Sequence, residues 1–549
     1  MPSTKPRYFD LPPLRSEPAP SFVDASSCRR WLDEVPLLNV GAANGMLYNE
    51  LELLTSFDMA PEKRFEVLEI LRPHILTVQE EHAKKFRGKA LPLSPQRREN
   101  LSEVKTLWDV FSRAYQRCVE SWSRREDDAT VAQQAVACHR AIDCMARRLA
   151  EQHYAYVKSD GTDFRALHRL YAYAEREGFA AKRVRDPLGP ERDPPTCQRS
   201  YLRALLFEAA TPREHRALAL GVIERWIDRW AAKVAIDTAL PADATTAPFY
   251  VNLGTDRGLQ REPERGPALR VVDVTQLAVS LDKRIYGLRH GRKPDELELG
   301  SDLTKRDFEG LLVALRRQWC EGRPRRQHER QPVEALAHVS TGLVAAHFYL
   351  GKQPFEQPFV PSSLPRPSSG PRDVVSAQRV RAAADYMLLN NIQAEQWIIR
   401  DESVTGLGLI RPLDESEGSR LTHGLLVSIR PRGGGTVLVG TTQWLEEGAD
   451  GDLQIGVRLI PGVPAPIAAR YIGQEKFFPA LLLAPLPALN APSSIVLPAG
   501  SYAPQRVVEI FQRGIDRIQL TGLLDAGTDH ERIAYMPAGV MGMVSHAAN

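Results

Sequence analysis

The sequence predicts an α + β multidomain protein in which a large, mainly helical region precedes a small antiparallel β-barrel. Three observations give this result. Apolar residues recur with a helical period through most of residues 25–351. A segment rich in proline and serine follows at 352–372 and reads as an extended linker. Beyond it the apolar period becomes two, and glycine-rich turns separate short strands.

Length and composition narrow the class of protein. A chain of 549 residues is too long for one hydrophobic core. Its 71 basic and 68 acidic residues give a net charge of +3, which argues against a nucleic-acid partner. Residues 1–24 read as a disordered, proline-rich lead-in without a secretory signal. No apolar run reaches the about 18 residues that a membrane span needs, so we expect a cytoplasmic protein.

The helical region contains helices with recognisable signals. Pro73 is expected to kink or split the helix that contains it. The segment Thr211-Pro-Arg-Glu214 has the form of a capping box, and we expect it to start the next clear helix. That helix should bury apolar residues spaced four apart, which are Leu218, Val222, Trp226, Trp230 and Val234. A later helix, opening near Thr304, should bury Phe308, Leu311, Leu315 and Trp319.

Three other features of this region are interpreted as structural, and we assign no binding or catalytic site to them. Residues 248–274 read as a β insertion among the helices. The arginine-rich segment 316–330 is interpreted as a solvated connection between two helices, and the second of these helices should contain Glu334, His338 and His347. The six cysteines form no CxxC pair, which predicts buried thiols, and no histidine cluster suggests a metal site.

After the linker the sequence predicts β structure. The strand candidates between residues 373 and 465 are 397–400, 406–410, 424–429, 436–440 and 454–460. A further set in 466–549 comprises 494–497, 506–511, 516–523 and 532–535. This second set either extends the first barrel or forms another small β unit, and the sequence leaves both open. Gly433-Gly-Gly435 is interpreted as a flexible hairpin tip, with a phosphate-binding loop as the alternative.

Within this β region the segment Asp401-Glu-Ser403-Val-Thr-Gly406 fits a [D/N]-x-S-x-x-G signature. An apolar strand precedes it, and TVLVGTTQW and LQIGVRLIPG follow, with Ile455-Gly-Val-Arg458 at the heart of the latter. Residues of about 375–465 therefore resemble a PilZ domain. The resemblance implies a six-stranded barrel that binds the bacterial second messenger cyclic di-GMP.

The residue types of the signature suit that ligand. A carboxylate such as Asp401 can accept hydrogen bonds from the N1–H and N2–H donors of guanine. The Ser403 hydroxyl can bond a base or a phosphate, and Gly406 allows a tight turn against which a base can lie. The alternative interpretation is an ordinary turn, in which the Asp and Ser side chains bond nearby backbone amides.

The PilZ resemblance also implies a pair of arginines spaced RxxxR, some twenty to thirty residues before the aspartate. In that window, GPRDVVSAQRVRAAADY offers Arg372, Arg379 and Arg381, of which no two stand four apart. The spacing therefore departs from the family pattern. Arginine suits this role because its fork can meet guanine O6 and N7, clamp a phosphate or stack on a purine.

The sequence thus predicts a non-enzymatic, cyclic di-GMP-responsive signalling protein. The barrel would be the nucleotide sensor, and the helical region would dock a protein partner. The absence of RxxxR in the window favours an alternative, a degenerate PilZ-like adaptor in pilus or motility machinery that binds no nucleotide. Because nothing in the helical region groups a nucleophile with a base, we expect neither an active site nor a cofactor.

Overall fold

The computed structural model describes residues 8–123, 127–189, 193–264, 266–321, 330–358, 372–412, 418–448 and 450–538. The chain divides into two compact units. The first comprises Met1–Lys89 with Leu93–Arg326, and the second comprises Ala90–Pro92 with Gln327–Asn549. The first is mainly helical and the second is built from two β-barrels, as the predicted fold class requires.

Ten helices form the first unit within the described residues. Several begin at a side chain that accepts a hydrogen bond from a free backbone amide of the first turn, as Ser94 and Thr304 do. The helices are α1 (Ala25–Leu32), α2 (Val40–Ser56), α3 (Pro61–Ala83), α4 (Pro95–Trp122), α5 (Asp128–Ala155), α6 (Thr162–Arg176), α7 (Cys197–Ala209), α8 (Ala217–Trp230), α9 (Thr275–Arg289) and α10 (Lys305–Arg316).

The structure decides two helix predictions for this unit in detail. Helix α3 continues through Pro73, so of the two predicted effects, a kink or a split, the split does not occur. The capping box at Thr211 does not start the predicted α-helix: a short 3-10 helix (Pro212–Glu214) follows it, and Thr211 has a left-handed backbone with φ of 50° and makes no side-chain capping bond. Helix α8 begins only at Ala217, and Leu218 is 57% exposed while Val222, Trp226 and Trp230 are buried. The prediction for the helix at Thr304 is confirmed.

The predicted β insertion is present as a three-stranded antiparallel sheet. Its strands are β1 (Ala235–Asp237), β2 (Phe249–Asn252) and β3 (Leu269–Asp273), with β3 in the centre. The segment 248–274 therefore supplies two of the three strands. Val251 and Val272 are fully buried, which fixes the sheet against the helices.

A network of buried charges crosses the helical core. Arg140, whose side chain is 1% exposed, pairs with Glu69 at 3.3 Å and with Asp186 at 3.2 Å. Arg72 holds the same Asp186 in a two-bond fork at 2.6 and 2.8 Å. The hydroxyl of Tyr115 donates to Glu69 at 2.7 Å. Because each buried charge has a partner here, removing one of them would leave another uncompensated.

The first barrel of the second unit is closed and antiparallel. Its strands are β4 (Gln331–Thr341), β5 (Glu395–Ser403), β6 (Gly406–Arg411), β7 (Leu426–Pro431), β8 (Leu438–Glu447) and β9 (Leu453–Leu459). Their order around the barrel is β4-β5-β6-β9-β8-β7. Alternate side chains point inward and are buried, including Trp397, Ile399, Leu409, Leu445 and Ile455.

One strand of this barrel lies where the sequence analysis expects a helix. Residues Gln331–Thr341 form β4, in which Ala337 and Val339 are buried while His338 between them is exposed. This alternation has a period of two. Gly342, with φ of 91°, then turns the chain into a helix. The prediction fails here because the apolar run continues without a break from the strand into that helix.

The connection between β4 and β5 contains two helices, α11 (Leu343–Gly351) and α12 (Arg372–Leu389). His347 lies in α11, as predicted, whereas Glu334 and His338 do not lie in a helix. The predicted linker at 352–372 falls mostly on residues 359–371, which lie outside the described residues. The barrel therefore begins at Gln331, about forty residues before the predicted start at 373.

The second barrel resolves the alternative that the sequence leaves open for residues 466–549. Its strands are β10 (Pro464–Tyr471), β11 (Phe478–Leu483), β12 (Ser494–Pro498), β13 (Val507–Phe511), β14 (Ile515–Ala526) and β15 (His530–Pro537). They close in the order β10-β11-β12-β15-β14-β13. Numbered within each barrel, both orders are 1-2-3-6-5-4, so the two barrels share one topology.

The two barrels pack into one body through α11 and through the β14–β15 turn. Leu343 and Ala346 of α11 join a buried cluster with Leu426 of the first barrel and Leu481 of the second. From the turn, Asp529 Oδ1 accepts the amide of Leu426 at 3.0 Å. The neighbouring His530 is fully buried and lies 3.2 Å from the hydroxyl of Thr441.

Three other predictions concern single residue types and helix character. All six cysteines are buried and free, which confirms the expectation of buried thiols. Among the described residues, no group of three or more His, Cys, Asp or Glu side chains could hold a metal ion. In the described part of the chain, none of the helices is both long and apolar enough to cross a bilayer.

The buried histidine of α5 gives the helical unit a testable pH dependence. Burial lowers the pKa of His139 to about 3, and its ring lies 3.0 Å from the hydroxyl of Ser200 and 3.0 Å from Arg140. An unfolded histidine titrates near pH 6.5, so the stabilisation is present above that pH and is lost as the pH falls toward 3. The free energy of unfolding should drop by up to about 1.4 kcal/mol per pH unit from this group alone.

Denaturant unfolding, followed by circular dichroism at the helical band between pH 7.5 and 5, measures this effect. His139→Gln should have a shallower slope than the wild type by about one proton. The other buried histidines with a lowered pKa, such as His168 and His215, remain in both proteins and cancel in the comparison. Equal slopes in the two proteins would contradict the assignment.

Candidate functional site

Asp401 lies on the outer face of the first barrel. It is opposite Pro332 of β4 on one side and Gly408 of β6 on the other. A bulge after Ile399 shifts the register by one residue, so Ile399 points into the core and Asp401 points out. The strand register therefore presents this carboxylate at the surface with 33% of its side chain exposed.

The carboxylate of Asp401 is paired with an arginine that immediately precedes the barrel. Arg330 Nη1 donates to Asp401 Oδ1 at 2.5 Å, and the arginine side chain is 23% exposed. The pairing of Gln331 with Glu402 and of Pro332 with Asp401 brings the two residues together. Because both groups are partly exposed, the ion pair contributes at most about 1 kcal/mol to stability. Its main effect is to hold a guanidinium beside the carboxylate.

Two glycines allow large or charged groups to lie across the strands next to Asp401. A Cβ on Gly408 would come within 2.7–2.9 Å of the Asp401 carboxylate. Across the next strand pair, Gly408 is opposite Gly456, and Gly456 is opposite Trp444. The indole of Trp444 lies directly over Gly456. Carboxylate and indole thus occupy one row of the outer face, and both require a residue without a side chain beneath them.

Ser403 and Gly406 form the turn between β5 and β6. The Ser403 hydroxyl donates to the carbonyl oxygen of Gly406 at 3.1 Å. A Cβ on Gly406 would lie 2.8 Å from the carbonyl oxygen of Val457 on β9. The structure therefore brings Asp401, Ser403 and Gly406 to one end of the β5–β6 hairpin. The serine bond is local, although its partner is a carbonyl oxygen rather than the backbone amide that the ordinary-turn interpretation expects.

The other three predicted site residues lie in α12. Arg381 has an exposed side chain, and the structure describes the backbone but not the side chains of Arg372 and Arg379. Helix α12 packs on α11 through Ala383, Tyr386 and their neighbours. Among the described side chains, the hydrogen-bond partner of Asp401 is Arg330 and not Arg381.

The sequence contains an RxxxR pair that the sequence analysis does not identify. Arg326-Gln-His-Glu-Arg330 has this spacing and directly precedes β4. Arg330 stands 71 residues before Asp401, by the subtraction 401 − 330, and so lies outside the window of twenty to thirty residues that the resemblance implies. The connection that holds α11 and α12 accounts for the extra length. The chain therefore has this spacing outside the expected window, and the signal that could have found it is an arginine pair at the start of a strand.

The second barrel has no counterpart of this site in its sequence. The hairpin equivalent to β5–β6 is β11–β12, and its connection reads APLPALNAPS over residues 484–493. It contains neither an aspartate nor a D-x-S-x-x-G pattern. The candidate ligand site therefore belongs to the first barrel, although both barrels share one strand order.

Two family models match this chain. Residues 26–242 match the model described as the N-terminal domain of the cyclic-di-GMP receptor FimW. Residues 467–537 match the model described as the FimW C-terminal beta-barrel domain. Similarity therefore extends to the helical region, for which the sequence analysis finds no resemblance, and to the second barrel. The first barrel lies between the two matches.

A relative is similar to this chain over almost the whole length of both proteins. The cyclic-di-GMP receptor FimW of Pseudomonas aeruginosa PAO1 is 22% identical over 553 aligned positions. The alignment covers 92% of this chain and 90% of the relative. This chain is thus similar to that receptor across both units.

Alanine substitutions of Gly406 and Gly408 should distinguish a glycine that the fold needs from a glycine that positions the Asp401 carboxylate. In Gly406→Ala the new methyl group meets a backbone carbonyl, which cannot move freely, and we expect a loss of about 1–3 kcal/mol in unfolding free energy. In Gly408→Ala it meets only the end of the Asp401 side chain, so the carboxylate should turn away from Arg330 with a loss below about 1 kcal/mol. Denaturant unfolding and a crystal structure of Gly408→Ala measure these outcomes.

Gly522→Ala is the matched control, because this strand glycine of β14 has no atom within 4 Å of the added Cβ. It should unfold like the wild type. An unmoved Asp401 carboxylate in Gly408→Ala, or a Gly406→Ala protein as stable as Gly522→Ala, would show that the contacts at this hairpin are looser than described.

Proposed function

We propose that the protein is a non-enzymatic receptor for cyclic di-GMP, with the sensor site on the outer face of the first barrel. The observation that carries the proposal is the contact between Arg330 of the RxxxR pair and Asp401 of the D-x-S-x-x-G signature. Arg330 and Asp401 are 71 residues apart in sequence, and the pairing of β4 with β5 brings these two residues into contact, which supports the proposal. The similarity to a cyclic-di-GMP receptor along 92% of the chain supports the proposal.

The ligand would replace the internal ion pair by two better-matched contacts. The Asp401 carboxylate accepts hydrogen bonds from the N1–H and N2–H groups of one guanine. These groups take the place of the Arg330 N–H group that bonds the carboxylate in the free protein. Arg330, released from Asp401, donates to a phosphate or to guanine O6 and N7. Arg326, four residues earlier, supplies a second guanidinium. Because the ion pair keeps both groups at the surface in the free protein, binding needs little rearrangement.

The arginines of α12 stay in the proposal as a second source of guanidinium groups. Arg372, Arg379 and Arg381 belong to the segment inserted between the two strands that meet at Asp401. A ligand on the barrel surface could draw this segment over itself. Separate substitutions of Arg330 and Arg381 decide which group of arginines contributes.

The helical region and α12 would serve as the surface for a protein partner. The end of α12 presents Leu388 and Leu389, which are 83% and 84% exposed. Two adjacent exposed leucines favour a docking contact. They also favour the adaptor alternative, in which the partner binds without nucleotide. The lack of RxxxR in the expected window favours that alternative, whereas the RxxxR spacing of Arg326 and Arg330 before β4 supports the receptor.

Calorimetric titration of the full chain with cyclic di-GMP tests the receptor proposal. Each hydrogen bond to a charged group contributes about 1.5–3 kcal/mol, so Arg330→Ala and Asp401→Ala should each weaken binding by roughly 10- to 150-fold. Arg326→Ala should act in the same direction. Arg381→Ala should change the affinity less than Arg330→Ala if RxxxR is the main source of guanidinium groups.

Arg513→Ala is the charge-matched control, since this exposed arginine lies between β13 and β14 of the second barrel. It should bind as the wild type does. No heat from the wild-type protein at tens of micromolar ligand would exclude the receptor function. Binding that survives Asp401→Ala would instead remove the ligand from this site.

A further inference from the structure

A cavity of about 480 Å³ lies on the first barrel, on the outer side of β4 and β7. Residues of α11, of the segment before β5 and of the β7–β8 hairpin complete its walls. Its volume is in the range of small-molecule sites, which are about 300–1,000 Å³. The lining residues are His338, Ser340, Tyr349, Ala394, Ser428, Arg430, Pro431, Arg432, Gly433, Gly434, Gly435 and Val437.

The charge of this lining has one sign. It includes Arg430 and Arg432 together with His338, and it includes no aspartate or glutamate. Many described arginines of the helical unit lie against a carboxylate, as Arg72 and Arg140 do. In the described part of the second unit, by contrast, neither Arg430 nor Arg432 makes an ion pair with another described residue. Two free guanidinium forks that share one cavity are suited to an anion with several oxygens.

The lining also contains hydroxyl groups that have few hydrogen-bond acceptors around them. The hydroxyl of Tyr349 is buried, and it has no hydrogen-bond partner among the described residues. Ser340 and Ser428 face each other across β4 and β7, and both are 3% exposed. The hydroxyl of Ser428 donates to the carbonyl oxygen of Ser340 over a long 3.4 Å. A buried hydroxyl without an acceptor costs about 1–3 kcal/mol, which a bound acceptor would recover.

The third wall is the glycine tip of the β7–β8 hairpin. Gly433 has φ of 83°, a left-handed conformation that favours glycine. No atom lies within 4 Å of where a Cβ on Gly433 or Gly435 would be. A ligand can therefore approach the backbone here without a side chain in the way. Successive peptide groups in such a turn form a concave surface that binds anions.

From these observations we propose that the cavity is a second binding site, and that it takes a small molecule carrying a phosphate. Arg430 and Arg432 would neutralise the phosphate charge, the glycine tip would donate backbone hydrogen bonds, and Tyr349 would find its acceptor. The volume admits a molecule of mononucleotide size. This site does not depend on the proposed receptor function.

The cavity is separate from the site at Asp401. Pro332, which is opposite Asp401, and His338, which lines the cavity, are six residues apart on β4. At about 3.3 Å per residue the two positions are roughly 15–20 Å apart along the strand. The cavity also borders β7, whereas Asp401 faces β6 on the other side of β5. One phosphate group cannot occupy both places.

Calorimetry of the full chain with inorganic pyrophosphate, guanosine 5′-monophosphate and guanosine tests the proposal. We expect the two phosphorylated probes to bind and guanosine to give no heat. In Arg430→Gln/Arg432→Gln, binding of both probes should weaken by at least about tenfold, which corresponds to one lost charge-assisted contact. Tyr349→Phe should weaken it several-fold while the fold stays at least as stable as the wild type, because the substitution removes a buried hydroxyl that has no partner among the described residues.

Matched variants separate this site from the sensor site. Arg513→Gln should bind the probes as the wild type does, and thermal unfolding should show that every variant is folded. Asp401→Ala should retain probe binding, and Arg430→Gln/Arg432→Gln should retain cyclic di-GMP binding. The proposal is overturned if neither phosphorylated probe binds at up to about 1 mM. It is equally overturned if the double variant binds them unchanged, or if Asp401→Ala abolishes their binding.

Discussion

The register between β4 and β5 is the constraint on which the candidate site depends. A strand has two faces, and a shift of one residue would move every side chain to the other face. The register that opposes Pro332 to Asp401 puts Arg330 within 2.5 Å of the carboxylate. The bulge after Ile399 keeps the apolar residues inside while it turns Asp401 outward. Without both features, the arginine pair and the signature would be unrelated segments of sequence.

How much of this could be predicted depends on the range over which each signal acts. The β5–β6 hairpin is local: an apolar strand, a six-residue signature and a glycine turn lie next to one another, and the sequence analysis finds all of them. Strand β4 carries a period of two, but its apolar run passes straight into α11, so the two elements merge into one predicted helix. Gly342 marks the boundary, and a single glycine is a weak signal.

The arginine pair was missed for a related reason. The resemblance places RxxxR by the number of residues that separate it from Asp401. That number does not determine which residues lie together in a sheet. What counts is strand pairing, and β4 pairs with β5 whatever is inserted between them. Here the insertion is two helices long. The second barrel was undecided in the same way, since closure of six strands is a property of long-range pairing that no local pattern carries.

The structure also connects the candidate site to the second barrel. Gly406, at the end of the signature, is opposite Arg458 on β9. Arg458 pairs with Asp525 of β14 at 2.6 Å. The strand that carries Asp525 leads into the turn where Asp529 and His530 dock on the first barrel. A ligand anion that attracts Arg458 would weaken the ion pair between Arg458 and Asp525. It would thereby favour the arrangement in which these two side chains are apart.

The size of such an effect is bounded by the contact itself. The side chains of Arg458 and Asp525 are 51% and 26% exposed, so their pairing contributes at most about 1 kcal/mol. A ligand can shift an equilibrium only by the difference in its affinity for the two states. The docked turn is held by the buried His530 and by the hydrogen bond from the Leu426 amide to Asp529. These contacts hold it far more firmly than the exposed ion pair is held. The barrels should therefore remain one body on binding, and a response passed through Arg458 would change the surface of β14 rather than separate the barrels.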